Sequence, residues 1–182
     1  MENRNTLYKM TKTVTHIDCP KQWEIQDDFS SHRPALWLAV EHMDVKDAIY
    51  EMGSGFGSTL LLANTKRWFN SYDTNKEWAD KFIHTVHIDD YDHIRFPDGE
   101  WVNEVGVLFV DLAPAHERKH IINKWRNNAK VIVIHDTEES ANYCYLMKDV
   151  LASFKYRLDY QPKGLPHTTI VSETINVCEW IP

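Results

Sequence analysis

Two short runs in the second half of the chain are apolar from end to end, Val105-Gly106-Val107-Leu108-Phe109-Val110 and Val131-Ile132-Val133-Ile134. Runs of this length predict parallel strands buried on both faces. Asp111 stops the first, and His135-Asp136 stops the second. Between them, 115–127 reads as a helix with Ile121, Ile122 and Trp125 inward, and the charged stretch 115–120 as a solvated face.

The same alternation runs upstream. A helix is predicted over 31–43, with Leu36, Ala39, Val40 and Met43 on one face, Pro34 in its first turn and Ser30 or Ser31 as cap. Strands follow at 48–52, 67–72 and 84–88, with helices from Ser58 and over 76–82. Downstream, a long helix over 138–154 puts Tyr143, Met147, Val150 and Phe154 on one face. Two last strands, 155–160 and 167–172, are joined by a short Pro/Gly-bearing link that suits an antiparallel hairpin. The stretch 89–103 is acidic and aromatic, with a turn at Pro97-Asp98-Gly99. Residues 1–29 show no period and read as an N-terminal arm, leaving 30–182 as one domain.

Seven strands alternating with helices imply an α/β fold, a mostly parallel sheet covered on both faces. In such sheets ligands gather at the carboxyl ends of the strands. Glu51, Asp73, Asp89, Asp111, His135 and Asp136 all fall at or near those ends. The first strand runs directly into Gly53-Ser54-Gly55-Phe56-Gly57, where missing side chains let the backbone approach a ligand and a helix amino end face negative charge. Twenty residues beyond Gly53, Asp73 ends the next strand, where a carboxylate can accept both hydroxyls of a ribose. The loop and acid together point to a nucleoside ligand. The third glycine comes one residue too early for the dinucleotide pattern, with Ser58 in its place.

Composition narrows the partners. With 27 acidic and 20 basic residues in 182, the net charge of −7 argues against nucleic acid, and the absence of a long apolar run argues against a membrane span. The start of the chain has no apolar stretch of the secretory kind. Cys19, Cys144 and Cys178 are odd in number and widely spaced, which suits a reducing cytoplasm better than a disulfide framework. Trp180 and Ile181 are candidates to cover a core edge or a second copy of the chain in a homo-oligomer.

The form E-x-G-x-G-x-G over 51–57 resembles the first motif of class I S-adenosylmethionine (SAM)-dependent methyltransferases, and the resemblance runs from about Ser31 to Ser172. More narrowly, S-H-R-P-A-L, G-S-G-F-G-S-T, V-D-L-A-P-A-H-E-R and I-H-D-T-E are similar to a group of small bacterial methyltransferase-like proteins. The resemblance implies a Rossmann-like αβα sandwich of seven strands closing on an antiparallel hairpin. It implies that Glu51, Gly53, Ser54, Gly55, Phe56 and Gly57 line the methionine end of SAM, that Asp73 holds its ribose, and that Asp89 or its neighbour meets the adenine. Asp111 would stand beside them.

The implied activity is in-line methyl transfer to a small-molecule acceptor, with oxygen the favoured atom. His135, Asp136 and His116 are the candidates for proton transfer, against a reading in which His135 only bonds backbone and Asp136 caps the following helix. His32 and Arg33 are candidates to hold an anionic acceptor. Asp111 and Asp136 are candidate ligands for Mg2+, as in some sugar and catechol O-methyltransferases of this fold. Asp111-Leu-Ala-Pro114 lacks the second proline and the aromatic of the D-P-P-Y clamp, so methylation of a nucleobase or glutamine nitrogen is not expected. The alternatives are a SAM-cleaving enzyme, an NAD-dependent oxidoreductase, or a SAM-binding module without turnover.

Overall fold

Apolar side chains that alternate along a strand need cover on both faces of the sheet. In Val105–Val110, Leu108 and Val110 join one core while Val107 and Phe109 join the other. Ala129–His135 divides likewise, Ile132 and Ile134 against Val131 and Val133. A computed structural model describes residues 9–91, 94, 104–114, 116–141 and 146–182. Within them lies one sheet of eight strands: β1 Met10–Val14, β2 Ala48–Met52, β3 Phe69–Asp73, β4 Thr85–His87, β5 Val105–Val110, β6 Ala129–His135, β7 Tyr156–Tyr160 and β8 Thr168–Ser172. Their order across the sheet is β1-β7-β8-β6-β5-β2-β3-β4, and β8 alone runs antiparallel to its neighbours.

The helices are α1 Arg33–Glu41, α2 Thr59–Ala63, α3 Lys76–Ala79, α4 Glu117–Trp125 and α5 Lys148–Ser153. Helices α1 and α2 send Leu36, Ala39, Val40 and Leu62 into one core; α4 and α5 send Ile121, Ile122, Trp125, Val150 and Leu151 into the other. The result is the expected three-layer Rossmann-like sandwich with its closing hairpin.

The departures have local causes. Neither Ser30 nor Ser31 caps α1: Ser30 Oγ accepts from the amides of Gln26 and Asp27 at 2.8 Å each, and Ser31 Oγ is paired with His135. Of the helix expected over 138–154, the described residues show Lys148–Ser153. Residues 138–141 turn instead, held where Glu138 Oε2 accepts from the His167 amide at 2.9 Å. The Pro97-Asp98-Gly99 turn, Ala115, Tyr143 and Cys144 lie outside the described residues. The eighth strand, β1, comes from the stretch read as an arm and pairs in parallel with β7. At the other end, Trp180 stacks on His42 with ring centroids 4.5 Å apart, so the chain's own core edge takes it up. Among the described residues no helix is long and apolar enough to cross a membrane.

β2 and β5 are adjacent, but the chain leaves them in opposite directions across the sheet, toward β3 and toward β6. That topological switch is where a doubly wound sheet opens a crevice.

Candidate functional site

The glycine loop leaves β2 at this switch and needs its glycines for stated reasons. Gly53 sits at φ +92°, and a Cβ there would fall 2.4 Å from the Asp111 carbonyl oxygen. A Cβ on Gly57 would fall 2.6 Å from the Phe29 carbonyl oxygen and 2.9 Å from His32 Cε1. The loop is thus clamped between the end of β5 and the residues leading into α1.

Polar struts fix its shape. The Gly55 amide donates to Thr59 Oγ1, which donates to Glu51 Oε2, both at 2.8 Å. Glu51 is fully buried, and burial pushes its pKa up to about 7 against the pull of the Ser58, Ser71 and Thr59 hydroxyls. It therefore reaches the loop through Thr59 and does not line the cleft. Asp73 Oδ2 accepts from the Ser54 amide and hydroxyl, both at 3.0 Å, and Oδ1 accepts from the Asn75 amide at 2.8 Å. Three of its roughly four acceptor positions are thus spent, which leaves room for one hydroxyl of a sugar but not two. Arg33 donates from Nε to the Gly57 carbonyl at 2.9 Å, so it braces the loop and is not a free clamp for an anion.

Above the loop opens a cleft of about 380 Å³, lined by Ser54, Gly55, Phe56, Gly57, Ser58 and Trp78 on one side. Asp27, Phe29, His32, Arg33 and Asp111 close the other. This volume falls at the lower end of the roughly 300–1,000 Å³ of small-molecule sites.

Behind Asp111 stands a buried polar cluster. His135 Nδ1 lies 3.2 Å from Asp111 Oδ2, and His135 Nε2 lies 2.8 Å from Ser31 Oγ. Arg118 donates to Asp111 Oδ1 and the His135 carbonyl at 2.9 Å each, and to Asp136 Oδ2 at 3.4 Å. Burial alone would raise the Asp111 pKa, but His135 and then Arg118 outweigh it and hold the carboxyl at about 2. Burial would lower that of His135, and Asp111 raises it overall. With both ring nitrogens taken up by Asp111 and Ser31, and with no place in the lining of the cleft, His135 is not positioned to act as a base on a ligand there. His32 differs: burial, then the nearby His135, push it down to about 3 against a weak pull from the Gly57 backbone, and neither ring nitrogen makes a well-formed hydrogen bond.

Other expected residues fall elsewhere. His116 is exposed and lines a separate small cavity with Asp90 and His120. Asp89 is exposed and does not line the cleft. Asp136, at φ +55°, belongs to the Arg118 cluster and to a second cavity beside Thr137 and His167. The pair Asp111–Asp136 does not suit Mg2+, because the Arg118 guanidinium already bridges both carboxylates.

The charged face predicted for 115–120 is corrected at Arg118, which is only 4% exposed. Its signal was present: 118, 121, 122 and 125 share one helical stripe. Ser31, Thr59 and Trp78 carried no comparable mark.

No known family profile and no curated protein matches the chain by sequence. Solved structures do match by shape. A METTL16 methyltransferase domain aligns with a TM-score of 0.55 at 12% identity, over 87% of this chain and 73% of that one. The N-terminal domain of human METTL16 in complex with S-adenosylhomocysteine (SAH) aligns at 0.53 and 10% identity, over 88% and 76%. A human methyltransferase 10 domain containing protein aligns at 0.52 and 10%, over 88% and 89%. One expectation is corrected by these neighbours: a net acidic charge on this fold does not exclude nucleic acid as a partner. The shape, the strand order and the glycine loop agree, and the chain has the Rossmann-like fold of class I methyltransferases.

Proposed function

We propose that this chain is a SAM-dependent methyltransferase whose donor occupies the cleft above the glycine loop. The observation that carries the reading is that cleft, a single-ligand volume at the β2/β5 switch whose floor is backbone at Gly55 and Gly57. The likeness to a domain solved with SAH supports it. The loop backbone is suited to the amino-acid end of SAM and the Phe56 and Trp78 rings to the adenine, while Asp73, which does not itself line the cleft, would shape the site through Ser54. SAM would supply an activated methyl group on a sulfonium with a good leaving group. The chain's contribution is then alignment and exclusion of water more than acid–base chemistry.

A cleft of this size is filled by one ligand, so the acceptor would meet the methyl group at its mouth. We take an oxygen acceptor on a small molecule as the first class to test. Single-stranded RNA forms the second arm, since an open mouth also admits one group presented by a large partner.

Titration calorimetry with SAM and SAH tests the donor. One site with micromolar affinity for both is expected, and no heat with either at millimolar ligand overturns the reading. Product analysis then tests the chemistry. SAH formed only with acceptor signals transfer, methylthioadenosine without acceptor signals cleavage, and neither product with any acceptor signals a binding module.

A further inference from the structure

Next to the cleft, His32 is a buried imidazole that nothing described so far employs. It is 2% exposed, neither nitrogen makes a well-formed hydrogen bond although the Gly57 backbone lies near, and its ring lies edge-on to His135 with centroids 4.8 Å apart. We propose that His32, Asp111 and His135 form a binding site for one first-row transition dication of the Zn2+, Fe2+ or Co2+ kind. This goes beyond the methyltransferase reading and does not depend on it.

Geometry supports the assignment. One ligand atom from each of the three residues lies within 4.8 Å of the others. Metal–nitrogen and metal–oxygen bonds of about 2.0–2.2 Å place neighbouring ligand atoms roughly 3.0–3.4 Å apart. His135 Nδ1 and Asp111 Oδ2, at 3.2 Å, already have that spacing. His32 closes the set by a shift on the order of an ångström, within reach of a χ1 adjustment.

The surroundings orient the ligands. Ser31 Oγ, 2.8 Å from His135 Nε2, can accept that nitrogen's proton in a hydrogen bond and leave Nδ1 to the ion. Such an outer partner is what metal-bound histidines require. Arg118 holds only Asp111 Oδ1, so Oδ2 stays available, and Asp111 with Asp136 outweighs the one guanidinium in charge. A proton between His135 and Asp111 would account for that pair alone and not for His32. A metal ion accounts for all three. Two imidazoles and one carboxylate select transition ions over Mg2+ or Ca2+. His32 and Asp111 also line the cleft, so the ion's remaining coordination positions would face whatever ligand enters there.

The test is a Co2+ titration of the chelator-treated full chain without SAM, read by visible ligand-field absorption. Saturation at one equivalent is expected, with the bands removed by Zn2+ and untouched by excess Mg2+. His32→Ala and Asp111→Asn should each weaken binding by more than about 100-fold, and Ser31→Ala by about 10–100-fold, the usual loss for an outer partner. His116→Ala, in the other cavity, should leave the bands intact. His32→Phe, which keeps a ring against Phe109, serves if His32→Ala fails to fold. Absence of bands in the parent chain, or bands that survive loss of His32, overturns the proposal. Because SAM is left out, failure here says nothing of the donor cleft, and absence of SAM heat says nothing of the ion.

Discussion

Glu51 shows how much a single buried carboxyl can set. Its Oε2 takes the Thr59 hydroxyl, and the Ser58 and Ser71 hydroxyls also act on the carboxyl, but complete burial outweighs all three. Its folded pKa of about 7 stands above the ordinary 4.5. The folded state therefore holds the proton more tightly than the unfolded one. The resulting stability is complete below pH 4.5 and is lost as pH rises through 7, by about 3 kcal/mol at one pH unit per 1.36 kcal/mol. Glu51→Gln keeps an acceptor for Thr59 and removes the titration. The variant should melt several degrees above the parent at pH 8 and level with it near pH 4.5, as thermal denaturation will show. A melting difference that stays constant with pH would mean that Glu51 is ionised in the fold. The sequence marked Glu51 by its place before the loop, but not its depth, because burial depends on Ser58 and Ser71 arriving from other elements.

The elements most legible in the sequence were those whose neighbours are fully apolar. β5 and residues Val131 to Ile134 of β6 are apolar throughout because helices cover both their faces, and the pattern alone placed them. Helix ends were harder, since of the hydroxyls expected to cap α1, Ser30 closes the preceding turn and Ser31 is taken by a tertiary partner, His135. Within the glycine loop the same residue type has two tasks, which substitution separates. Gly53→Ala combines a left-handed backbone with a Cβ pressed on the Asp111 carbonyl, a backbone atom that cannot swing away. It should cost about 3 kcal/mol or more and lower the melting temperature accordingly. At Gly55 the nearest atom to an added Cβ is Ser58 Oγ at 3.6 Å, an ordinary contact. Gly55→Ala should therefore change stability by less than about 1 kcal/mol. Its methyl group would nonetheless stand in the cleft, so SAM affinity by calorimetry should fall at least tenfold. Equal stability losses for the two variants would refute this division of labour.

At the scale of the molecule, the stretch before α1 works as part of the sheet and its core. β1 escaped sequence reading because it is an edge strand. Thr11 and Thr13 are exposed and Lys12 and Val14 only half-buried, so no apolar stripe marks it. Its partner β7 lies almost 150 residues away in sequence, with Met10 opposite Tyr156, and no local pattern can announce such a pairing. Ile17 and Trp23 follow it into the core that also holds Leu36, Ile49 and Val107. From there the chain passes through Phe29 and Ser31 to the cleft wall and the His135 cluster. Anchoring the stretch and shaping the cleft are therefore one event. Trp23→Ala, which empties a site only 5% exposed, should cost about 3–5 kcal/mol. Deleting residues 1–24 should cost more, because it also bares the edge of β7 to a second chain. Melting curves and light scattering measure both effects. SAM calorimetry on the surviving folded fraction adds the decisive comparison: if the stretch forms the cleft wall, the deletion weakens SAM even where the rest of the sheet persists, whereas unchanged affinity would assign it to the core alone.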